Sequence, residues 1–462
     1  MKHDDTSKLI NLIKNLLEDG KGYELSSFLI EEGTNLGDNF MSVLYSITVE
    51  AIHRNDSSSK ITHHYLLKCY PSHPSRQTFL NNSNLFYKEV SFYMTWAKDV
   101  ILFQKNTQIP DEKIIQLAIP KCVLAEAINF ETCEPEEKEV THGPLSNYIM
   151  MVDLRKEGGF KMANKMIGLD VDHVKLAFNE LAKMHALSWA YRNKVEWDVE
   201  NKFPFLKRFL SPRKTEMWLG ILKTNIEKAV TAIEAASGRK NVLSESLKDF
   251  STNAKAVIES FISQTETSEE SLLKLHRHPF KLLQYEGQTD AIEPWRVVSH
   301  GDCWSNNFLF QYDQQTRKPM KVALVDFPLA RLSCPTLDLS CLVYTSTRRS
   351  FREMHLEECL KCYHDTFTKV CEQMGVEPLP GFSLTSLKMK FHVMKLVGFL
   401  IAAISLPLNL VELGKEVDFE QKNDNVPMQD MFREACDSGE ENSSYQTWIL
   451  ELVEELYDEG VI

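Results

Sequence analysis

A basic surplus is the first thing this sequence of 462 residues lacks: 52 Lys and Arg stand against 65 Asp and Glu, a formal charge of -13. A general nucleic-acid binder needs a cationic surface for its phosphate contacts, so nucleic acid is not the expected partner. A small anionic ligand, which needs only a few local cations and backbone N–H groups, remains compatible. A membrane-length apolar run is also missing. The longest, Leu396–Leu406, follows Lys395 and stops at Pro407. That falls short of the roughly 20 residues that span a bilayer, so it reads as a buried core helix with no membrane span. The opening residues, M-K-H-D-D-T-S-K-L-I, are polar and acidic where a signal peptide carries a charged start and an apolar run, and a cytoplasmic location is the expectation. The ten cysteines are scattered and, with no secretory context, are expected to be reduced. Cys359 and Cys362 form a C-x-x-C inside a helix-like run, with no second pair for zinc and no preceding strand for redox chemistry. There is no internal repeat to suggest a solenoid.

What is present suits a globular chain. Hydrophobic residues make up 43%, enough for a stable core, and the length exceeds one compact core of ordinary size, so two lobes are expected. The first, residues 1–152, mixes helix and strand. Leu9, Leu12, Ile13 and Leu16 share one helical face. Gly33 and Gly37 then bracket a turn before a run in which Val43, Tyr45, Ile47 and Val49 alternate with other residues, a strand period. A second strand, I-T-H-H-Y-L-L-K-C-Y, is cut off by Pro71. A helix follows with Phe86, Val90 and Tyr93 at helical spacing, and I-P-K-C-V-L-A-E-A and Y-I-M-M-V-D-L add two more strands. From 153 to 462 the pattern is mainly helical: Leu176, Ala177, Leu181, Met184 and Leu187 form one stripe, and residues 205–290 continue amphipathic. The region around Asn423 to Ser444 is polar and acidic and reads as a solvated loop before a final helix. The fold class is therefore α+β, a small antiparallel-sheet lobe beside a larger, mainly helical one.

One stretch interrupts the helices. In V-V-S-H-G-D-C-W-S-N-N-F-L-F, residues 297–310, two apolar runs flank His300, Gly301, Asp302, Ser305, Asn306 and Asn307, a set of polar groups that is expensive to bury for packing alone. The spacing is H-x-D-x-x-x-x-N, the form of a phosphotransferase catalytic loop. In such a loop the Asp takes or orients the proton of the attacking hydroxyl and the Asn ligates magnesium. A hairpin follows, N-F-L-F-Q-Y to V-A-L-V-D-F, and brings Asp326 back beside Asn307. An amide oxygen and a carboxylate there suit Mg²⁺, a hard ion that keeps waters and phosphate oxygens in its shell. Such a site needs a strand lysine for the α- and β-phosphates of ATP and an acid on the next helix to orient it. Lys68 and Glu89 arrive in that order. The Gly33-to-Gly37 turn can lay N–H groups over phosphate or be an ordinary hairpin. His185, in L-A-K-M-H-A, reads as a packed helix residue, and H-R-H at 276–278 is too short for a metal site.

Together G-D-N-F, L-L-K, F-x-x-E, L-A-K-M-H-A, H-G-D-C-W-S-N-N and V-D-F followed by P-T-L-D-L resemble the ecdysteroid kinase-like family of arthropods, within the aminoglycoside and choline phosphotransferase superfamily. The resemblance runs from about residue 25 to about residue 410. It implies a two-lobed protein-kinase-like fold, ATP and Mg²⁺, and transfer of the γ-phosphoryl group to a hydroxyl of a small lipophilic molecule, an ecdysteroid or a plant or xenobiotic compound. Carried over, Asp302 is the catalytic base, Asn307 and Asp326 the metal ligands, and Lys68 and Glu89 the phosphate-orienting pair, while Asp338 supports the catalytic loop. His300 is expected to brace that loop, and Asn306 has no assigned part.

Two departures stand out. The strand that joins the lobes usually reads L-E-D-L but here is M-V-D-L, with Val152 in place of the acid, and Pro328 follows Asp326-Phe327 where Gln is frequent. Proline there removes an N–H. A choline-type kinase and an inactive nucleotide or ligand carrier of the same fold are the alternatives. A protein kinase is disfavoured, because no A-P-E-like segment follows Asp326.

Overall fold

The computed structural model describes residues 3–18, 22–33, 41–107, 109–134, 136, 141–207, 220, 223–231, 233–234, 242–249, 295–411, 426–440 and 443–462. The first lobe is built on a five-stranded antiparallel sheet made of β1 (Tyr23–Glu32), β2 (Val43–His53), β3 (Asp56–Cys69), β4 (Cys122–Glu126) and β5 (Tyr148–Val152), in the spatial order β1-β2-β3-β5-β4. Helix α1 (His3–Glu18) lays Leu9, Ile13 and Leu17 against Ile47, Val49, Leu67 and Met150 on one face, as the apolar spacing requires. The edge strand β1 escapes the sequence pattern because most of its residues are exposed or half-buried and Glu24, Glu31 and Glu32 dilute the alternation.

On the other face lie α2 (Pro74–Ser83) and α3 (Leu85–Ser91), the latter running on through a π-turn, Phe92–Trp96, into α4 (Ala97–Asn106). The helix α2 was not expected: its buried residues include Arg76, Gln77 and Asn81, so it carries no apolar stripe to read. Proline at its start supplies the missing cue. Asn84, in the left-handed region at φ 56°, breaks α2 from α3.

The chain leaves the sheet at the end of β5, passes through the short helix α5 (Leu154–Gly158) and β6 (Lys161–Met162), and enters α6 (Val171–Lys194). Asp170 caps α6 by accepting from Asp172 and His173 N–H, the usual device at a helix start. Strands β7 (Val297–Ser299), β8 (Phe308–Tyr312), β9 (Pro319–Leu324) and β10 (Arg331–Ser333) follow. They form two small antiparallel sheets, β6-β8-β9 and β10-β7. The hairpin expected over 307–327 is β8 paired with β9. Then come α7 (Pro335–Ser346), α8 (Arg349–Met374), α9 (Leu384–Asn409), α10 (Met428–Glu440) and α11 (Ser443–Asp458). The architecture is the expected α+β one: a five-stranded antiparallel sheet, then a larger helical lobe.

Two expectations change in this lobe. The apolar run 396–406 belongs to a 26-residue helix that does not stop at Pro407 but contains it. Proline has no N–H for the Ala403 carbonyl four residues back, and the side-chain amide of Asn225 donates to that carbonyl instead, at 2.9 Å. This helix is long and apolar enough to cross a membrane, but 72% of its most apolar window is buried inside the protein. The polar stretch 423–444 is not simply a loop: Met428, Met431 and Ala435 line one side of α10 and pack on Ile404, Leu408, Met41 and Phe79. The spacing of that stripe is helical. Most of 205–290, with the H-R-H at 276–278, lies outside the described residues. Cys359 and Cys362 sit in α8 as ordinary helix positions, and all ten cysteines are unpaired with one another.

Candidate active site

The polar loop 300–307 is held from below by one carboxylate. Asp338, fully buried in the first turn of α7, accepts His300 N–H at 2.7 Å on one oxygen and Gly301 N–H at 2.9 Å on the other. His185 Nε2 lies 3.1 Å from the first of these oxygens, and its Nδ1 is 2.9 Å from the Tyr363 hydroxyl. Burial alone would raise the Asp338 carboxyl, but the bond and charge of His185, with His300 and the Gly301 N–H, hold it below its ordinary value. The anion is thus the stable form in the core, as multiple hydrogen bonds to a carboxylate dictate. His185, read as a packed helix residue, is that and also the prop of Asp338. A histidine inside an apolar helix stripe needs a buried partner, and that requirement was the one available signal.

Gly301 has φ +83°, and a Cβ on it would lie 2.2 Å from the Leu329 carbonyl oxygen. Only glycine lets the loop cross there. His300 donates from Nε2 to the Val325 carbonyl at 3.0 Å and accepts Asp302 N–H on Nδ1 at 3.3 Å. Both bonds suit a neutral ring, and burial pushes its pKa down. His300 therefore braces the loop against the strand end that carries Asp326.

Asp302 is half-buried, and its carboxylate accepts from the Asn307 side-chain nitrogen at 3.0 Å, while its carbonyl accepts from the same nitrogen at 2.9 Å. Burial, then the charge of Asp326, raises Asp302 to about 7, against the bond from Asn307. With the nitrogen of Asn307 on Asp302, no donor among the described residues is bound to its amide oxygen. The Asn307 carbonyl accepts Val325 N–H at 3.0 Å, so β8 and β9 set Asn307 and Asp326 on neighbouring chain segments. Asn306 is buried beside the Ser305 hydroxyl at 3.5 Å, and no further contact gives it a part.

Asp326 follows β9 with φ +69°, a conformation uncommon outside glycine and tolerated by Asp. Lys68, on β3 opposite Leu44 and Ile149, reaches Asp326 Oδ1 and Glu89 Oε2, each at 2.6 Å. The Lys68 and Glu89 side chains are 9% and 2% exposed, whereas Asp326 is 35% exposed. Burial works against the Lys68 ammonium, but Asp326 and Glu89 outweigh it and raise its pKa. Burial pushes Glu89 up to about 7 against the pull of Lys68. Phe327, next to Asp326, stacks on Phe92 with ring centres 3.9 Å apart and the planes 8° from parallel. Phe92 opens the π-turn, a local widening frequent at functional sites, and Tyr93 beside it also meets the Phe327 ring edge-on, so the helix bearing Glu89 and the segment bearing Asp326 pack through these rings.

The structure therefore brings together Lys68, Glu89 and Asp326 by direct contact, and Asp302 and Asn307 beside them. Gly33 is linked to that cluster through Leu44, which pairs with Lys68 across β2 and β3. Its N–H donates to the Leu44 carbonyl at 2.8 Å, and a Cβ would lie 2.7 Å from Leu44 backbone, so glycine there serves the close approach of β1 to β2. Gly37 lies outside the described residues. Val152 N–H donates to the Lys121 carbonyl at 2.9 Å, and Pro328 sits in a turn in which Ala330 N–H donates to the Phe327 carbonyl at 3.2 Å. Among the described residues no group of three His, Cys, Asp or Glu could cage a metal. The Asp326 carboxylate and the Asn307 amide oxygen are hard oxygens that fit a divalent cation completed by phosphate and water, and the charge of Asp326 disfavours that of Asp302.

A sequence model described as the ecdysteroid kinase-like family matches residues 36–376. Among solved structures, the chain is similar to a Plasmodium vivax ethanolamine kinase with a TM-score of 0.33 and 10% identity, over 95% of each chain, a likeness too distant to argue from. No curated protein matches.

Proposed function

Since the chain belongs to the ecdysteroid kinase-like family, and is on that ground a small-molecule kinase, we propose that it transfers the γ-phosphoryl group of ATP to a hydroxyl of a small, largely apolar acceptor such as an ecdysteroid or a xenobiotic. The observation that carries this is the Lys68 ammonium held at 2.6 Å by both Glu89 and Asp326, with the Asp302–Asn307 loop alongside.

Phosphoryl transfer asks little covalent chemistry of a protein and much positioning. Asp302 accepts the proton of the acceptor hydroxyl. A carboxyl raised to about 7 is better matched to that task near neutral pH than an ordinary one. Asn307 fixes which way the Asp302 carboxylate points. Lys68, kept charged by its neighbours, holds α- and β-phosphate oxygens, and Glu89 keeps it in place. Asn307 and Asp326 would hold Mg²⁺, which supplies neutralisation of charge on the phosphates. The acceptor site belongs to the helical lobe, over residues 200–290 and 380–410. Of these, 208–219, 221–222, 232, 235–241 and 250–290 are outside the described residues, and α9 supplies apolar side chains such as Phe391 and Phe399.

A second reading, a carrier that binds nucleotide or ligand without turnover, draws on the two departures from the family pattern, Val152 and Pro328. ADP release with Mg-ATP, measured with and without a panel of hydroxylated apolar compounds, separates the two. Release stimulated by at least one acceptor supports the kinase, and nucleotide binding with no stimulated release supports the carrier.

A further inference from the structure

The segment that joins the lobes carries an ion pair, with a buried carboxylate and a half-exposed guanidinium, that no role above uses. The Asp153 carboxylate, 1% exposed, accepts a fork from Arg155, Nε at 2.9 Å on one oxygen and Nη2 at 2.8 Å on the other. The same carboxylate accepts the Ser46 hydroxyl of β2 at 3.0 Å and caps α5 through Arg155 N–H at 3.1 Å. The remaining nitrogen of the Arg155 guanidinium, Nη1, donates to the Gly33 carbonyl at the end of β1. Neighbours repeat the pattern: Lys156 pairs with Glu31 at 2.7 Å, and Glu157 accepts His64 N–H at 3.1 Å.

Arg155, Lys156 and Glu157 of α5 are thus tied to β1 and β3, and Asp153 before them to β2, and Arg155 is the member that reaches both the buried carboxylate and the β1 terminus. A planar guanidinium with three engaged nitrogens fixes direction as well as distance.

We infer that Arg155, oriented by Asp153 and Ser46, is a positioning residue for the nucleotide, setting the spacing between the lobe connection and the strand segments Gly33, Leu44 and Lys68 that are bonded or paired in sequence across β1, β2 and β3. This rests on the phosphotransfer reading. The pair acts on ATP affinity and not on the proton transfer at Asp302.

The test is calorimetric titration of the full chain with Mg-ATP, well below its melting point, for the wild type, Arg155→Met and Ser46→Ala. Arg155→Met is expected to weaken Mg-ATP binding by about tenfold or more, the scale of one charge-assisted hydrogen bond. Ser46→Ala, which leaves the fork intact, is expected to weaken it by about two- to fivefold, the scale of a neutral bond. Affinity within twofold of wild type in a folded Arg155→Met protein overturns the inference. Should Arg155→Met fail to fold, Ser46→Ala decides, and unchanged affinity there overturns it. A wild type that binds no Mg-ATP overturns the phosphotransfer reading and the inference with it, whereas binding by the wild type with equal binding by the variants removes the inference alone.

Discussion

Replacing Asp338 by Asn isolates what holds the catalytic loop. The carboxylate accepts His300 N–H and the His185 ring on one oxygen and Gly301 N–H on the other. In the variant one oxygen becomes an NH₂ that faces a donor. The less costly orientation puts the NH₂ against Gly301 N–H and keeps the two contacts of the other oxygen, now without charge. One charge-assisted bond of about 1.5–3 kcal/mol is lost and the others weaken, so the loss is about 2–4 kcal/mol. For a chain of this length that is a fall of about 2–4 °C in melting midpoint. The sign with pH follows from the direction of the shift. Because folding holds Asp338 below its ordinary value of 3.8, its contribution is complete above that value and is lost as pH falls through the folded pKa. Thermal melts of wild type and Asp338→Asn should therefore differ fully at pH 7 and converge in acid. Equal midpoints at pH 7 refute the argument, as does a gap that persists unchanged where Asp338 is protonated.

Three further outcomes are expected. Gly301→Ala puts a methyl 2.2 Å from the Leu329 carbonyl at φ +83°, and should abolish turnover while costing about 2–4 kcal/mol of stability, read by activity and thermal melts. The free-protein profile of kcat/KM should fall as pH drops through about 7, the value to which burial and Asp326 raise Asp302, because the proton acceptor must be ionised. A flat profile from pH 5 to 8 contradicts that assignment. Asn225→Ala strands the Ala403 carbonyl that Pro407 leaves without a donor, and should destabilise by about 1–3 kcal/mol with no effect on the catalytic loop, measured by urea midpoint and residual activity together.

How much of this was legible depended on range along the chain. Asp302, Asn307 and Asp326 fall within one loop and one hairpin, so spacing alone puts them side by side. Lys68 and Glu89 could be ordered because a strand period gives way to a helix period between them. The helix α2 was invisible because its buried face holds Arg76, Gln77 and Asn81, which balance hydrogen bonds in place of forming an apolar stripe. Met428, Met431 and Ala435 were hidden in an acidic stretch whose average polarity concealed one buried edge. Asp338 was placed by resemblance, but its partnership with His185, 153 positions away, leaves no mark in either local sequence. The same holds for Arg155 and Gly33, 122 apart. Long-range polar contacts have no period, and only the fold reveals them.

The central claim is that Asp302 takes the acceptor's proton during transfer from ATP. Its most direct test is transfer of labelled γ-phosphate to the best acceptor in a hydroxylated apolar panel, compared between wild type and Asp302→Asn at matched Mg-ATP saturation. Wild type should label the acceptor, and the variant should lose about 10²- to 10⁴-fold in rate while still binding Mg-ATP. A variant that labels the acceptor at the wild-type rate contradicts the account.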